Sequence, residues 1–275
     1  MVKKIAKSLM SMLILFLLSL VLLLVSCQSK LIYMPRTYEA VEVAGADARA
    51  LSYQTSQGLQ KAWIHPAKAK GEGLIWLVFG GNGMVALDWQ DYFTAPSLRQ
   101  DTFVLFDYPG YGQSEGRPTP SSIKESVIKL LPALAIEFKT NEESLRPRLR
   151  VFAQSLGCAA ALMAVEEHRI SRGVLIAPFT TMKAMAQRVV GWPLCEVLHH
   201  RFDNVATLSR LEKREDLQLS ILHGSADEMI PVEMGRTLGR RFPGIVHFVE
   251  VPDARHNDIL NTDRDKIEAA MAVCR

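Results

Sequence analysis

Cysteine is scarce: the chain has four in 275 residues and no Cys-x-x-Cys. That excludes a disulfide-stapled scaffold and the common zinc frameworks. Apart from Cys27, the cysteines are Cys158, Cys195 and Cys274. Three is an odd number, so at least one stays a thiol or pairs between chains. A Cys195–Cys274 bridge is open to the chain in an oxidising compartment. His199-His200 is the one adjacent histidine pair, and neighbours on a helix do not share a face, so no metal site is expected. No stripe of basic residues with interleaved aromatics occurs, which argues against nucleic acid as a partner. The chain carries 32 Lys+Arg against 29 Asp+Glu. Lys3, Lys4 and Lys7 account for that excess, so it reads as a targeting signal. Internal repeats and low-complexity tracts are also missing.

What is present begins at the N-terminus. Lys3, Lys4 and Lys7 precede an almost unbroken apolar run over 9–25. A charged start followed by such a run reads as an export signal. The run closes on Leu24-Val25-Ser26-Cys27, which resembles the lipobox of bacterial lipoproteins. The resemblance implies a signal peptide over 1–26, lipidation of the Cys27 sulfur and anchoring in the bacterial cell envelope. The alternative is an uncleaved transmembrane helix, since the run nearly reaches the ~20 residues a span needs. Either way, the rest of the chain is exported and held at a membrane. Residues 27–43 read as an irregular tether and 44–275 as one domain, because α/β folds reach about 250 residues as single units.

Within that domain β-type and helical runs alternate. A hairpin is expected over 50–54 and 60–64, closed around Gly58. The run 74–79 is apolar throughout, as a strand covered on both faces must be. Runs at 102–106, 149–153, 173–176, 218–222 and 246–251 share its character. Helical patterns occupy 88–99, 122–139, 156–168, 233–241 and 257–273, and Pro132 should kink or break the second. The alternation predicts an α/β fold, a mostly parallel sheet with helices on both faces. The longest interval between strands, 180–217, is expected to form a cap. Most of its apolar residues read as packing that cap onto the body. Trp192 and the methionines Met182 and Met185 are the candidates for lining a pocket.

Two serines compete for the role of nucleophile. Gly112-Gln113-Ser114-Glu115-Gly116 matches Gly-x-Ser-x-Gly literally, whereas Ala153-Gln154-Ser155-Leu156-Gly157 misses by one methyl group. Context reverses that ranking. Ser155 follows an apolar strand-like run and opens a small-residue helical run, the strand–turn–helix geometry of a nucleophile elbow. Ser114 lies in a loop and precedes Gly116-Arg117-Pro118, where no helix can start promptly. Ser155 is therefore the candidate.

A serine hydroxyl needs a base and a third group to orient that base. The acid is expected after the strand 218–222, in His223-Gly224-Ser225-Ala226-Asp227-Glu228. Asp227 is the first choice there and Glu228 its nearest rival, with Asp203 and Asp253 behind. The histidine is expected after the strand 246–251, which points to His256; His247 lies within that strand and reads as structural. Singly, each is more often a turn or cap residue than a catalytic one. Together they occur in the order Ser, acid, His, each just past the carboxyl end of a predicted strand, where ligands bind in open α/β sheets. The oxyanion would be held by two backbone N–H groups. One is that of Leu156. The other comes from the loop Gly80-Gly81-Asn82-Gly83-Met84, with Asn82 preferred. That loop is not read as a phosphate cradle, since no Gly-Lys-Ser/Thr or Gly-x-Gly-x-x-Gly follows it.

These residues resemble the α/β-hydrolase superfamily over nearly all of the domain. Leu77-Val-Phe-Gly-Gly-Asn-Gly83 is similar to its His-Gly oxyanion motif with Gly80 in place of the His. Asp107-Tyr-Pro-Gly-Tyr-Gly-Gln-Ser-Glu-Gly116 is similar to the loop after its fourth strand, where the serine is not the nucleophile. His223-Gly-x-x-Asp227 with Pro231 matches its acid loop. The Tyr108–Ser114 run looks closest to the bud-emergence and depalmitoylase-like branch, also called serine-aminopeptidase-like. The resemblance implies hydrolysis of a carboxylic ester or thioester on a small-molecule or acyl-chain substrate, without cofactor. A peptidase or amidase with the same triad and a non-catalytic lipoprotein scaffold are the alternatives. Besides Gly80, the departures are Ala153 for Gly and Ala254-Arg255 before His256.

Overall fold

The computed structural model describes residues 2–69 and 73–275; residue 1 of the 1–26 segment lies outside them. Among the described residues eight strands form one sheet: β1 (Arg49–Thr55), β2 (Gly58–His65), β3 (Ile75–Phe79), β4 (Thr102–Phe106), β5 (Leu149–Gln154), β6 (Arg172–Ile176), β7 (Gln218–Gly224) and β8 (Val246–Val251). Their order is β1-β2-β4-β3-β5-β6-β7-β8. The first two pair antiparallel, β2 pairs antiparallel with β4, and every later pairing is parallel. All five residues of β3 are buried, which is why that strand reads as a continuous apolar run rather than an alternating one. Edge strand β1 alternates instead. Gly58, at φ +107°, closes the β1–β2 hairpin.

The helices are α1 (Val2–Ile32), α2 (Ala40–Ala44), α3 (Pro120–Glu137), α4 (Glu142–Leu145), α5 (Gly157–His168), α6 (Met182–Val190), α7 (Asn204–Leu211), α8 (Val232–Arg241), α9 (Ile259–Thr262) and α10 (Arg264–Val273). One face of the sheet packs against α3, α5, α7 and α8, the other against the segment 86–98 and α10. This is the mostly parallel α/β sheet that the alternation of runs predicts.

Four local expectations differ. Residues 88–99 form no helix: two 3-10 turns, Ala86–Trp89 and Pro96–Leu98, flank extended backbone at Ala95. Pro96 disfavours helical backbone in the residue before it. Trp89 and Phe93 meanwhile pack on Phe152, with Phe93 stacked 4.1 Å from Phe103. Helix α3 runs through Pro132 without a break. The pattern 257–273 divides at Asp263, which ends α9 and starts α10 while its carboxylate bonds Lys266 and Thr262, a local competition with helix typical of Asp. Finally, residues 27–43 are not irregular throughout. Helix α1 continues through Cys27 to Ile32 and α2 occupies Ala40–Ala44. Between them Tyr33 is buried and Tyr38 donates a hydrogen bond to Asp107.

All four cysteines are free thiols. Cys195 sits in the turn Leu194–Val197 after α6 and lines the cavity there, while Cys274 packs in the core with α10, so the Cys195–Cys274 bridge does not form.

Candidate active site

The strand order reverses between β3 and β5, and this is where an open α/β sheet leaves a crevice at its carboxyl edge. The loops after both strands meet there. Ser155 follows β5 with φ +55°, a left-handed backbone that costs a non-glycine residue roughly 1–3 kcal/mol and survives only where the surroundings impose it. Its N–H donates to Ile176 O at 2.9 Å. A Cβ at Gly157 would fall 2.2 Å from Phe79 O, so the turn requires glycine there.

Ser155 Oγ lies 3.1 Å from His256 Nε2, and His256 Nδ1 lies 2.7 Å from Asp227 Oδ2. An ionised carboxylate only accepts, so Nδ1 carries the proton and Nε2 is free to accept from the serine hydroxyl. Asp227 is enclosed, its Oδ1 accepting from the N–H groups of Met229 and Ile230 at 2.9 and 2.7 Å. Burial would raise its pKa. Hydrogen bonds from His223, His256 and the Ile230 N–H outweigh burial and hold the carboxyl well below the usual carboxylate range. The chain thus brings the three residues chosen from the sequence into one hydrogen-bonded line.

The rivals fall elsewhere. Glu228 accepts from the His256 backbone N–H at 3.4 Å and from Arg255 at 3.2 Å; it does not reach the imidazole. Asp203 caps α7 through the Ala206 N–H, Asp253 forms the turn after β8 at φ +58°, and His247 is exposed on β8. Ser114 is buried, with Oγ accepting from Lys61 N–H at 2.9 Å and lying 3.3 Å from Asp107 O.

Neither the Leu156 nor the Asn82 N–H donates a hydrogen bond among the described residues. Both residues share a cavity with Ser155. The Asn82 side chain does something the sequence did not suggest: Nδ2 donates to Ile32 O at 2.7 Å, while Oδ1 accepts from Tyr111 OH at 2.8 Å and Met34 N–H at 3.0 Å. Tyr108 OH donates to Gly80 O at 2.6 Å. The Tyr108-Pro-Gly-Tyr111 run therefore braces the glycine loop. Asp107 anchors that run, accepting from Tyr38, Trp63 Nε1 and Ala86 N–H, and burial pushes its pKa up to about 6. A side chain at Gly80 would meet Trp89 Nε1 and Met84 Cβ at 3.0 and 3.1 Å. Those two residues occupy the space that the superfamily's histidine would need.

Two further residues that the sequence pattern does not single out touch the line of Ser155, His256 and Asp227. His223, fully buried, donates from Nε2 to Ile230 O at 2.8 Å and lies 3.3 Å from Asp227 Oδ2. Gln154 Nε2 donates to His256 O at 3.3 Å. The signal available for His223 was its place at the head of the acid-loop motif; Gln154 had none, because its partner is 102 residues away.

Above Ser155 the cavity has a volume of about 410 Å³. Met182, Met185, Val189, Leu194 and Val197 line it from α6 and the turn that follows. No residue of helix α6 is fully buried; Met182 and Met185 pack against the main core and also line the cavity. Trp192 does not line it and is 76% exposed. Cys27 is half-buried within α1.

The model of the alpha/beta hydrolase family matches residues 77–214. An uncharacterised protein of Mycobacterium tuberculosis is 25% identical over 241 residues, which is 85% of this chain and 82% of its own. Alpha/beta hydrolase domain-containing protein 17C of Xenopus laevis is 25% identical over 228 residues, 82% of this chain and 68% of that protein. Among solved structures, a Pyrococcus furiosus esterase superposes with a TM-score of 0.60 at 17% identity, covering 88% of this chain and 96% of its own. A thermophilic esterase from Thermogutta terrifontis gives 0.55 at 16% identity, covering 83% and 98%. These superpositions establish the fold.

Proposed function

The chain belongs to the alpha/beta hydrolase family, and from that premise we propose that it is a membrane-held serine hydrolase cleaving carboxylic ester or thioester bonds. The observation that carries this reading is the line Ser155 Oγ–His256 Nε2, 3.1 Å, and His256 Nδ1–Asp227 Oδ2, 2.7 Å, at a strained turn beside two unpartnered N–H groups. His256 takes the Ser155 proton as the oxygen attacks the acyl carbonyl. Asp227 holds the imidazole in the required tautomer and stabilises the imidazolium. The N–H groups of Leu156 and Asn82 receive the oxyanion. Collapse expels the alcohol or thiol, which leaves with the proton from His256. Water, deprotonated by His256, then releases the acid and restores Ser155.

The apolar walls over Ser155 favour an acyl substituent over a peptide strand, which would bring polar backbone into that cavity. The membrane is held through the N-terminal helix, by a lipid on Cys27 or by α1 left uncleaved; α1 is long and apolar enough to cross a bilayer. The depalmitoylase-like branch is the subgroup favoured, on the Tyr108–Ser114 run. The test is a matched series of butyryl oxyester, thioester and anilide substrates. The reading requires turnover of an oxyester or thioester that is lost in Ser155→Ala; cleavage of the anilide alone would favour a peptidase, and turnover surviving in Ser155→Ala would refute the assignment.

A further inference from the structure

The cavity over Ser155 has a third wall, supplied by the N-terminal helix. Leu24, Gln28, Leu31 and Ile32 of α1 all line it. Their spacing of four, three and one places them on one helical face. Three of the four follow Cys27, so this wall stays whether the chain is cleaved at residue 26 or left whole.

The wall is docked by polar bonds. Gln28 is 5% exposed. Its Nε2 donates to Val197 O at 2.6 Å, and its Oε1 accepts from His199 N–H at 2.6 Å. Tyr33 OH lies 3.1 Å from His200 Nδ1, and Asn82 holds Ile32 O. A buried amide with its polar atoms matched fixes position more than it adds stability, since leaving either atom unpaired costs about 1–3 kcal/mol. The end of α1 is thereby tied both to the segment after α6 and to the loop carrying the Asn82 N–H.

The rim around this wall is apolar and open. Leu31, Val189 and Met229 line the cavity and are all more than half exposed. Upstream, the apolar residues of α1 from Leu9 to Leu23 project away from the body. Several large exposed apolar side chains gathered at a cavity mouth mark a contact surface. Here the apolar surface continues, along one helix, from the bilayer-length segment to the cavity.

We infer that the substrate is a long-chain acyl ester resident in the bilayer that holds α1, and that its acyl chain reaches Ser155 sideways from that bilayer along the α1 wall. The inference rests on the serine-hydrolase reading and names its substrate class. In each turnover Ser155 Oγ bonds the acyl carbon, the lipid alcohol leaves with the proton from His256, and one water releases the fatty acid.

The test uses the full chain reconstituted in phosphatidylcholine vesicles, with 4-methylumbelliferyl oleate as the bilayer-borne ester and p-nitrophenyl butyrate as the water-soluble one. The oleate ester is placed either in the enzyme's own vesicles or in separate, enzyme-free vesicles at the same total concentration. The expected result is cleavage at least about tenfold faster in the shared bilayer, because confinement to one surface raises effective concentration. Leu31→Glu, which sets a carboxylate against hydrocarbon, should lower the shared-bilayer rate about tenfold relative to butyrate turnover. Ile136→Glu, on exposed α3 surface, should move neither rate. Butyrate turnover with equal oleate rates in shared and separate vesicles would overturn this inference alone, as would a Leu31→Glu variant that loses both activities equally. Failure to cleave either ester would overturn it together with the reading on which it rests.

Discussion

Residues 112–116 and 153–157 differ in pattern by one methyl group, yet the fold uses their serines for opposite purposes. Ser155 closes β5 at φ +55° and points its oxygen at an imidazole. Ser114 turns its oxygen inward, accepting from Lys61 N–H and pinning the loop to Asp107 O. The literal motif is the structural staple, and the imperfect one sits at the crevice. What separates them is the element on either side: a buried strand and a helix N-terminus give a serine a strained turn that opens on the cavity, whereas a glycine-rich loop absorbs its serine into the backbone.

The largest effect that would break this contrast is loss of the proposed nucleophile. Ser155→Ala should lower kcat by about 10⁶, the scale seen when a triad serine is removed. Ser114→Ala should leave kcat within severalfold and instead cost about 1–3 kcal/mol of stability, because Lys61 N–H loses its partner; ester turnover and denaturant unfolding read the two. Next is the acid. Asp227→Asn should reduce kcat by about 10⁴ through the wrong imidazole tautomer, while Glu228→Gln, whose carboxylate meets only backbone N–H and Arg255, should change it by less than about tenfold. Near-equal losses in these two would move the acid to Glu228.

A smaller effect sharpens the role of the glycine loop. Asn82→Ala keeps its backbone N–H but removes the ties to Ile32, Met34 and Tyr111. A drop in kcat of about tenfold to a hundredfold, with KM little changed, is expected from a loosened oxyanion donor. The mildest effect concerns the loop that holds Ser114. Asp107 has its folded pKa raised to about 6 by burial, against about 3.9 for an unfolded aspartate. A raised acid pKa makes ionisation costly in the folded state, so the stability Asp107 contributes declines as pH rises from about 4 to 6. Asp107→Asn should be destabilising, since three donors lose a carboxylate, but the deficit in melting temperature should narrow over that interval. A deficit that widens instead would reverse the sign assigned here.

Much of this was legible in the primary structure because each clue was local. The strands are continuous apolar runs, and their order places Ser155, Asp227 and His256 at one edge of the sheet. The segment 88–99 misled because its apolar spacing suits a helix, while Pro96 and the packing of Trp89 and Phe93 against Phe152 and Phe103 require otherwise. Gln28 was invisible for another reason: its partners lie 169 and 171 residues away, and nothing in an apolar run announces a docked amide. The bracing of Asn82 by Tyr111 was equally hidden. The Tyr-Pro-Gly-Tyr run marked kinship, but its hydrogen bonds appear only once β3 and β4 lie side by side.

The most direct measurement is mass-spectrometric mapping of the full chain after reaction with a fluorophosphonate, which phosphonylates only an activated serine hydroxyl. The account predicts one adduct, on the peptide containing Ser155, unchanged in Ser114→Ala and missing in Ser155→Ala. An adduct on Ser114, or none on a folded protein, would contradict it.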